Sequence, residues 1–485
     1  MADFDLVVRG GTVVTAEGTA RCDVGIRDGR IAALGIDLPP GARELDAKDR
    51  LVLPGGIDSH CHIEQRVSSG VQNADSWESG TVSAACGGTT TVICFAVQPR
   101  GGSIAEAVDA YARLATKAVI DHAFHLQVTD PSPQALGELN DLIAQGHRSL
   151  KVFMTNDSVR LDDRQMLEVL AAGREHGALT VIHAENSGAI AFLTDRLLAA
   201  GLGAPRYFEW SRPAVVEREA VTRAIALAEL VDAPVQIFHV SAAEAAEEIR
   251  RARARGVKVW GETCAQYLLL SDADTNRPGF EGAKYICSPA PRGAGNREAL
   301  WALIRGGVLD IVSSDHAPHR YDDPKGKKLN GEDAPFSRIP NGVPGVETRL
   351  PVLFSEGVSA GRIDLPTFVA LSSTNPAKLF GLYPKKGAIT VGSDADIAVW
   401  DPRRRVTIRN AMLHHNVDYT PFEGYEATGW PVTTLSRGEV LCDEGAVTAA
   451  SGRGRLLLRP AYDTIRPTGR FTTPFDPVHG RIVHD

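Results

Sequence analysis

The hydrophobic pattern changes twice along the chain, and each change predicts a different kind of structure. The first fifty residues read as short strands. Residues 5–15 alternate loosely around Gly10-Gly11. Residues 23–34 are split by Arg27-Asp28-Gly29-Arg30, where Asp-Gly suits a tight hairpin turn with positive φ. From Leu51 onward, short β-branched or apolar runs alternate with Ala-, Leu- and Glu-rich stretches of helical period. One run leads into His60; the others cover 89–96, 123–128, 149–155, 179–184, 234–241, 257–263 and 310–314, with helices such as 104–118, 163–176, 216–230 and 243–255 between them. Eight strand–helix alternations over roughly 330 residues predict an α/β fold, a (β/α)8 TIM-like barrel.

After about residue 382 strands return. Residues 387–401 read as two strands around a turn, and more short strands follow to about residue 447. Paired with the first fifty residues, they would form a small β-sandwich domain built from both chain ends. The expected boundaries are 1–54 and 386–455 for the two parts of the sandwich and 55–385 for the barrel. Residues 456–485, rich in Pro, Arg and Thr and without helical period, form an extended tail, over the surface or onto a neighbouring subunit.

Composition narrows the function classes without naming one. The chain has 485 residues, 43% hydrophobic and 23% charged, which fits one large barrel with a smaller companion domain. A net charge of -8 gives no electrostatic reason to expect nucleic acid or an anionic membrane as partner. No apolar stretch approaches the roughly 20 residues of a membrane span, and the first residues lack the positive start and apolar core of a signal peptide. A cytoplasmic protein is expected. The seven cysteines are scattered, odd in number and free of C-x-x-C pairs, which argues against a disulfide framework.

The strongest chemical signal is Pro54-Gly-Gly-Ile-Asp-Ser-His60-Cys61-His62, an apolar strand running into two histidines one residue apart. Side chains alternate on a strand, so His60 and His62 face one way and Cys61 the other. Two imidazoles on one face can chelate a metal ion, although a lone H-x-H is equally at home in a turn. His183 and His239 end two further predicted barrel strands, and Asp315 follows a third. Each is unremarkable by itself as a loop residue. Together they mark the C-terminal end of the barrel, where barrel active sites are built. Lys151 lies within the apolar strand Ser149-Leu-Lys-Val-Phe, where a cation is costly to bury. It is either paired to an interior carboxylate or modified by carbon dioxide to a carbamate whose oxygens bridge two metals. Two divalent ions among neutral imidazoles need such an anionic ligand.

This arrangement, with HxH on the first strand, Lys on the fourth, His on the fifth and sixth and Asp on the eighth, resembles the amidohydrolase superfamily. More narrowly, PGGIDSHCH, SLKVFMT, VIHAEN, HVS, GETCAQYL, YICSPAPR, SSDHAP and IPNGVPGVETRLP resemble the dihydropyrimidinase/hydantoinase family of cyclic amide hydrolases over nearly the whole chain. The resemblance implies two divalent metal ions, zinc by family habit. His60, His62 and Asp315 would hold one and His183 and His239 the other, with carboxylated Lys151 between them. It implies Asp315 as general base and then acid in hydrolysis of a cyclic amide. Ser288 and Asn341 would bind the flat –NH–CO– edge of the ring, where their residue types alone suggest only turns. A homotetramer is implied as well.

Two features depart from the family pattern. The Tyr that usually follows the bridging Lys by five residues is replaced by Asn156, whose amide could still donate to an oxyanion. A larger or differently shaped pocket is expected, and with it room for a non-standard heterocycle. The stretch Ile63-Glu64-Gln65-Arg66 is also more polar than is common in hydantoinases. Glu64 stands where dihydroorotases carry an Arg, and Glu64-Gln65 does not match the Asn-Glu of allantoinases. A non-catalytic scaffold related to dihydropyrimidinases would be expected to lose metal ligands, and all six are present. His414-His415 is expected to lie away from the barrel strand ends, and His122 and His125 to face opposite sides of their strand.

Overall fold

The computed structural model describes residues 2–65 and 70–483; Arg66 of the polar stretch noted above and the last two residues of the tail lie outside them. The chain begins with seven short strands: β1 (Phe4–Arg9), β2 (Thr12–Thr15), β3 (Gly18–Arg21), β4 (Asp23–Arg27), β5 (Arg30–Gly35), β6 (Gly41–Asp46) and β7 (Leu51–Pro54). Asp28 and Gly29, both at positive φ, make the tight turn between β4 and β5.

Eight parallel strands follow: β8 (Gly56–Cys61), β9 (Thr89–Val97), β10 (Asp121–Gln127), β11 (Ser149–Phe153), β12 (Leu179–His183), β13 (Val235–Ile237), β14 (Val259–Cys264) and β15 (Ile311–Ser313). Each pairs with the next in sequence order. The Cys61–His316 bridge closes the ring, with the amide of His62 donating to the carbonyl of His316 at 2.8 Å. Helices α1 (Trp77–Cys86), α2 (Ile104–Ala115), α3 (Pro133–Gln145), α4 (Asp163–His176), α5 (Ser187–Ala199), α6 (Ala214–Leu230), α7 (Ala243–Ala254) and α8 (Ala294–Arg305) lie between them. The (β/α)8 barrel expected from the alternating pattern is present. Its interior is filled by Ile57, Ile93, Phe95, Ala123, Leu179, Val181, Phe238 and Ile311. His122 and His125 face opposite ways: His125 reaches Ser59 and Ser149 inside the barrel, while His122 packs on Trp77 outside it.

After the barrel come β16 (Ile397–Thr407), β17 (Glu426–Ser436), β18 (Glu439–Asp443) and β19 (Ala446–Val447). They continue the sheet of β7, β2 and β3, because β16 pairs antiparallel with β7. A second sheet, in the order β5-β4-β1-β6, packs on it across Leu6, Val8, Val24, Val52, Ile397 and Leu435. The sandwich therefore draws on both chain ends. Residues 387–391, expected as a strand, are irregular instead. Gly387 and Gly392, both at positive φ, turn the chain at either side, and only the buried Ile389 joins the sandwich core.

The tail does more than cover surface. Leu457 and Ile465 join the barrel's interior cluster, and Arg459 is fully buried, donating to Ser149 Oγ at 3.2 Å and Phe124 O at 3.1 Å. Among the described residues no helix is long and apolar enough to cross a membrane.

Candidate metal centre

The ends of the barrel strands bring the predicted residues together. His60 lies in β8, whose register against β9 shifts between Asp58 and Cys61, and His62 follows it. The Oδ1 of Asp315, just past β15, is 3.2 Å from His60 Nε2 and 3.1 Å from His62 Nε2. Among the described residues these three form the one group of His, Cys, Asp or Glu with candidate ligand atoms all within 4.8 Å of one another. Cys61 points away, its Sγ against Ser314 Oγ. On the other side of the site, the rings of His183 and His239 meet edge to face with centroids 4.3 Å apart, and His239 lies 5.2 Å from His60.

Electrostatics suit this cluster to a cation that the histidines bind as neutral imidazoles. Burial pushes the pKa of His60 and His239 well below the ordinary histidine value and lowers that of His183. His239 Nδ1 is buried without a hydrogen-bond partner. Lys151 is buried too, and its Nζ has no partner; Phe238 and Phe153 face it with ring centroids at 4.3 and 4.5 Å. Desolvation brings its pKa down to about 7, against the pull of Asp315 and Glu262. Among the described residues no interior carboxylate pairs with it directly. An amine so easily deprotonated, beside an orphaned imidazole nitrogen, fits a site that takes a metal ion. His239 and Asp315 also share an uncommon backbone, with φ of 40° and 48°, as non-glycine residues in the left-handed region.

Two glutamates that the sequence reading passed over hold the histidines in place. Glu262, inside β14, accepts from or donates to His60 Nδ1 at 2.8 Å and lies 3.3 Å from Ser59 Oγ. Burial pushes its carboxyl up to about 8. Glu185 lies 2.8 Å from His183 Nε2, which leaves His183 Nδ1 free to face a ligand. Such outer partners fix the tautomer and orientation of ligand histidines. A signal for both was in the sequence: Glu262 is an acid within an apolar strand, as Lys151 is a base, and Glu185 repeats the i,i+2 spacing of His60 and His62.

Of the remaining predicted residues, Ser288 is tied to the cluster through Glu185. Ser288 Oγ donates to Glu185 Oε2 at 2.7 Å and accepts from Arg212 Nη1. Asn341 is exposed, next to Gly342, whose φ of 124° and approach to Ala317 leave no room for a Cβ: the nearest atom would be 2.3 Å away. Asn156 is exposed at φ 69°, and its Oδ1 accepts from Ser158 N and Oγ, an Asx turn that leaves Nδ2 as its free donor. One expectation is overturned. The loop carrying His414 and His415 returns from the sandwich to the barrel: His414 bonds Glu347 at 2.9 Å, and Asn416 N donates to Asp75, the carboxylate that holds His316 Nε2 at 3.1 Å. A pattern of short strands gives no sign of where the long loop between two of them will travel.

Comparison with known proteins agrees with this geometry. The sequence profile of the amidohydrolase family matches residues 51–441. The chain is 45% identical to a D-hydantoinase of Ralstonia pickettii, over 95% of this chain and 100% of that protein. It is 40% identical to a D-phenylhydantoinase of Escherichia coli O1:K1 / APEC, over 94% and 98%. A solved D-hydantoinase structure superimposes with a TM-score of 0.92 at 45% identity, covering 95% of this chain and 100% of that one.

Proposed function

The chain belongs to the amidohydrolase family, and from that premise we propose that it is a hydrolase opening cyclic amides, with 5-substituted hydantoins and dihydropyrimidines as its substrate class. The observation that carries this reading is the convergence of His60, His62 and Asp315 at one point, beside a buried and unpartnered Lys151. Two divalent ions, zinc by donor type, would be held by His60, His62 and Asp315 on one side and His183 and His239 on the other. The Nζ of Lys151, in its unprotonated form, would add to carbon dioxide and lose a proton to give a carbamate, which would supply the ions with an anionic oxygen donor among the neutral imidazoles.

When bound, the ions supply Lewis acidity, lowering the pKa of a water from 15.7 towards about 7 and polarising the amide carbonyl. The protein's own residues do the rest. Asp315 accepts the proton of the attacking water and returns it to the departing ring nitrogen, which leaves poorly as an anion. Glu262 and Glu185 hold His60 and His183 by their far nitrogens. The backbone at Ser288 and Asn341 grips the –NH–CO– edge, so that the scissile carbonyl is presented in one orientation. Asn156 Nδ2 offers a donor to the developing oxyanion where relatives place a tyrosine.

The test is ring opening by zinc-loaded protein on dihydrouracil, hydantoin, 5-phenylhydantoin, succinimide, phthalimide and allantoin, with Asp315→Ala as control. Turnover of a hydantoin or dihydropyrimidine, absent in the variant, is expected. Two metals per chain with no turnover on any of the six rings would sink the substrate assignment.

A further inference from the structure

Lys327 is a buried cation for which the hydrolytic chemistry has no use. Its side chain is fully enclosed, in the loop between β15 and the segment that carries Asn341. Among the described residues no carboxylate contacts it. Its Nζ donates to two backbone carbonyls, Ile286 O at 2.9 Å and Pro340 O at 2.7 Å. Desolvation lowers its pKa to about 7. An enclosed amine facing only backbone carbonyls, charged or not, is an expensive way to fill space, since a methionine of similar length would pack there without the desolvation cost.

The two acceptors are informative. Ile286 O lies two residues before Ser288, and Pro340 O lies one residue before Asn341. Ile286 O also accepts from Gly342 N at 3.0 Å, so the two segments meet at one carbonyl, with Lys327 as the second donor to it. The Asn341 segment is tied in turn to the metal side of the site: Ala317 N donates to Val343 O at 3.0 Å, two residues beyond Asp315, and His316 bridges Val343. The lysine is itself anchored, because Lys327 N donates to Arg320 O at 2.8 Å. A Cβ at the neighbouring Gly326 would lie 2.0 Å from that same carbonyl, so the turn admits no other residue there without moving.

We propose that Lys327 is a positioning residue which sets the spacing between the two backbone segments that grip the cyclic amide edge, and so governs how tightly the ring is held. The inference rests on the cyclic-amide reading above. Either protonation state of the amine has the two N–H donors required, so the clamp holds on both sides of neutral pH. Loss of the clamp weakens substrate and transition state alike, and this appears in KM with kcat nearly unchanged.

The experiment compares Lys327→Met, which keeps length and removes the donors, with Lys327→Gln, which keeps two N–H donors on a shorter arm. Both are assayed as zinc-loaded full-length protein on a ring that the unaltered enzyme opens. Metal content, melting temperature and hydrogen–deuterium exchange of peptides spanning residues 286–290 and 339–343 are read alongside. The expected result for the methionine variant is a KM raised about 10- to 100-fold with kcat within about threefold, two metals per chain retained, and faster exchange in both peptides. The glutamine variant should fall between the methionine variant and the unaltered protein. An unchanged KM, or KM and kcat worsening together as metal is lost, would overturn the proposal; so would exchange rates that do not move. Should the unaltered protein open no cyclic amide, the functional reading falls by itself, and the exchange rates still decide whether Lys327 holds the two segments.

Discussion

His60 and His183 stand on opposite sides of the site, and each is held through one ring nitrogen by a buried glutamate at 2.8 Å. The two glutamates are driven to opposite states. Burial alone dominates at Glu262, whose carboxyl rises to about 8 with no cation in direct contact. At Glu185 the same desolvation is outweighed by the Arg212 guanidinium, 3.2 Å away, and by hydrogen bonds from His183 and Ser288, so the carboxyl falls to about 2. One fold thus carries a neutral clamp and an ionised clamp within a single cluster, and the presence of an arginine decides which is which. The ionised clamp also touches Ser288, so Ser288 and His183 share one anchor. The neutral clamp reaches Ser59 and belongs to the barrel core.

The largest expected effect comes from removing what both sides share. Lys151→Ala should lose bound metal and turnover together, with kcat/KM down by about 10⁴-fold or more; metal analysis with a ring-opening assay checks it, and full metal with normal turnover would break the bridging model. Next is Glu185→Gln, which leaves Arg212 facing a neutral amide. Its expected cost is about 3 kcal/mol in denaturant unfolding and about 10- to 100-fold in metal affinity. Glu262→Gln replaces a protonated acid by a neutral near-isostere, so less than about 1 kcal/mol is expected near pH 7. Equal losses in the two variants would dissolve the contrast.

Acidity sharpens the same comparison in metal-free protein. Glu185 has a depressed folded pKa, so its contribution is present above the ordinary 4.5 and is lost as pH falls towards about 2. Glu262 has a raised one. Its folded form keeps a proton that the unfolded chain releases, so stability drains away as pH climbs from 4.5 to about 8. The buried histidines, with lowered pKa values, pull the other way across this range, so the effect is read as a difference: the change in urea midpoint from pH 5 to pH 8 should be more positive in Glu262→Gln than in the unaltered protein. The narrowest effect expected, on selectivity alone, is that of Asn156→Tyr. It should shift the ratio of kcat/KM for 5-phenylhydantoin over dihydrouracil by about 3- to 10-fold, and an unmoved ratio would remove Asn156 from the specificity argument.

The barrel was legible because eight apolar runs of similar length recur with helical stretches between them, a periodicity that one sequence displays openly. The cluster at the strand ends was legible because His60, His62, His183, His239 and Asp315 sit at the ends of those runs. Glu185 and Glu262 left only a weak mark, because an acid in or just past an apolar strand has many uses until the tertiary fold shows which ring nitrogen it meets. Lys327 was still less visible. Its partners are backbone carbonyls 41 and 13 residues away, and carbonyls carry no sequence signal at all. The two-strand reading of residues 387–401 failed because the left-handed glycines at 387 and 392 bend the first half out of the sheet.

The pairing of β7 with β16 has a consequence in time. During synthesis the apolar edge Leu51-Val52-Leu53 can meet β2 at once, but its other neighbour is encoded roughly 340 residues later. At about 5–20 residues per second this is a wait of roughly 20–70 s. Throughout that interval the nascent sandwich lacks Ile389, Ala395, Ile397, Val399, Val432 and Leu435, six of the fourteen buried residues of its apolar cluster. A ribosome that stalls anywhere within the barrel would therefore display an unpaired hydrophobic edge at the beginning of its product, a natural handle for chaperones and, without them, a seed for aggregation.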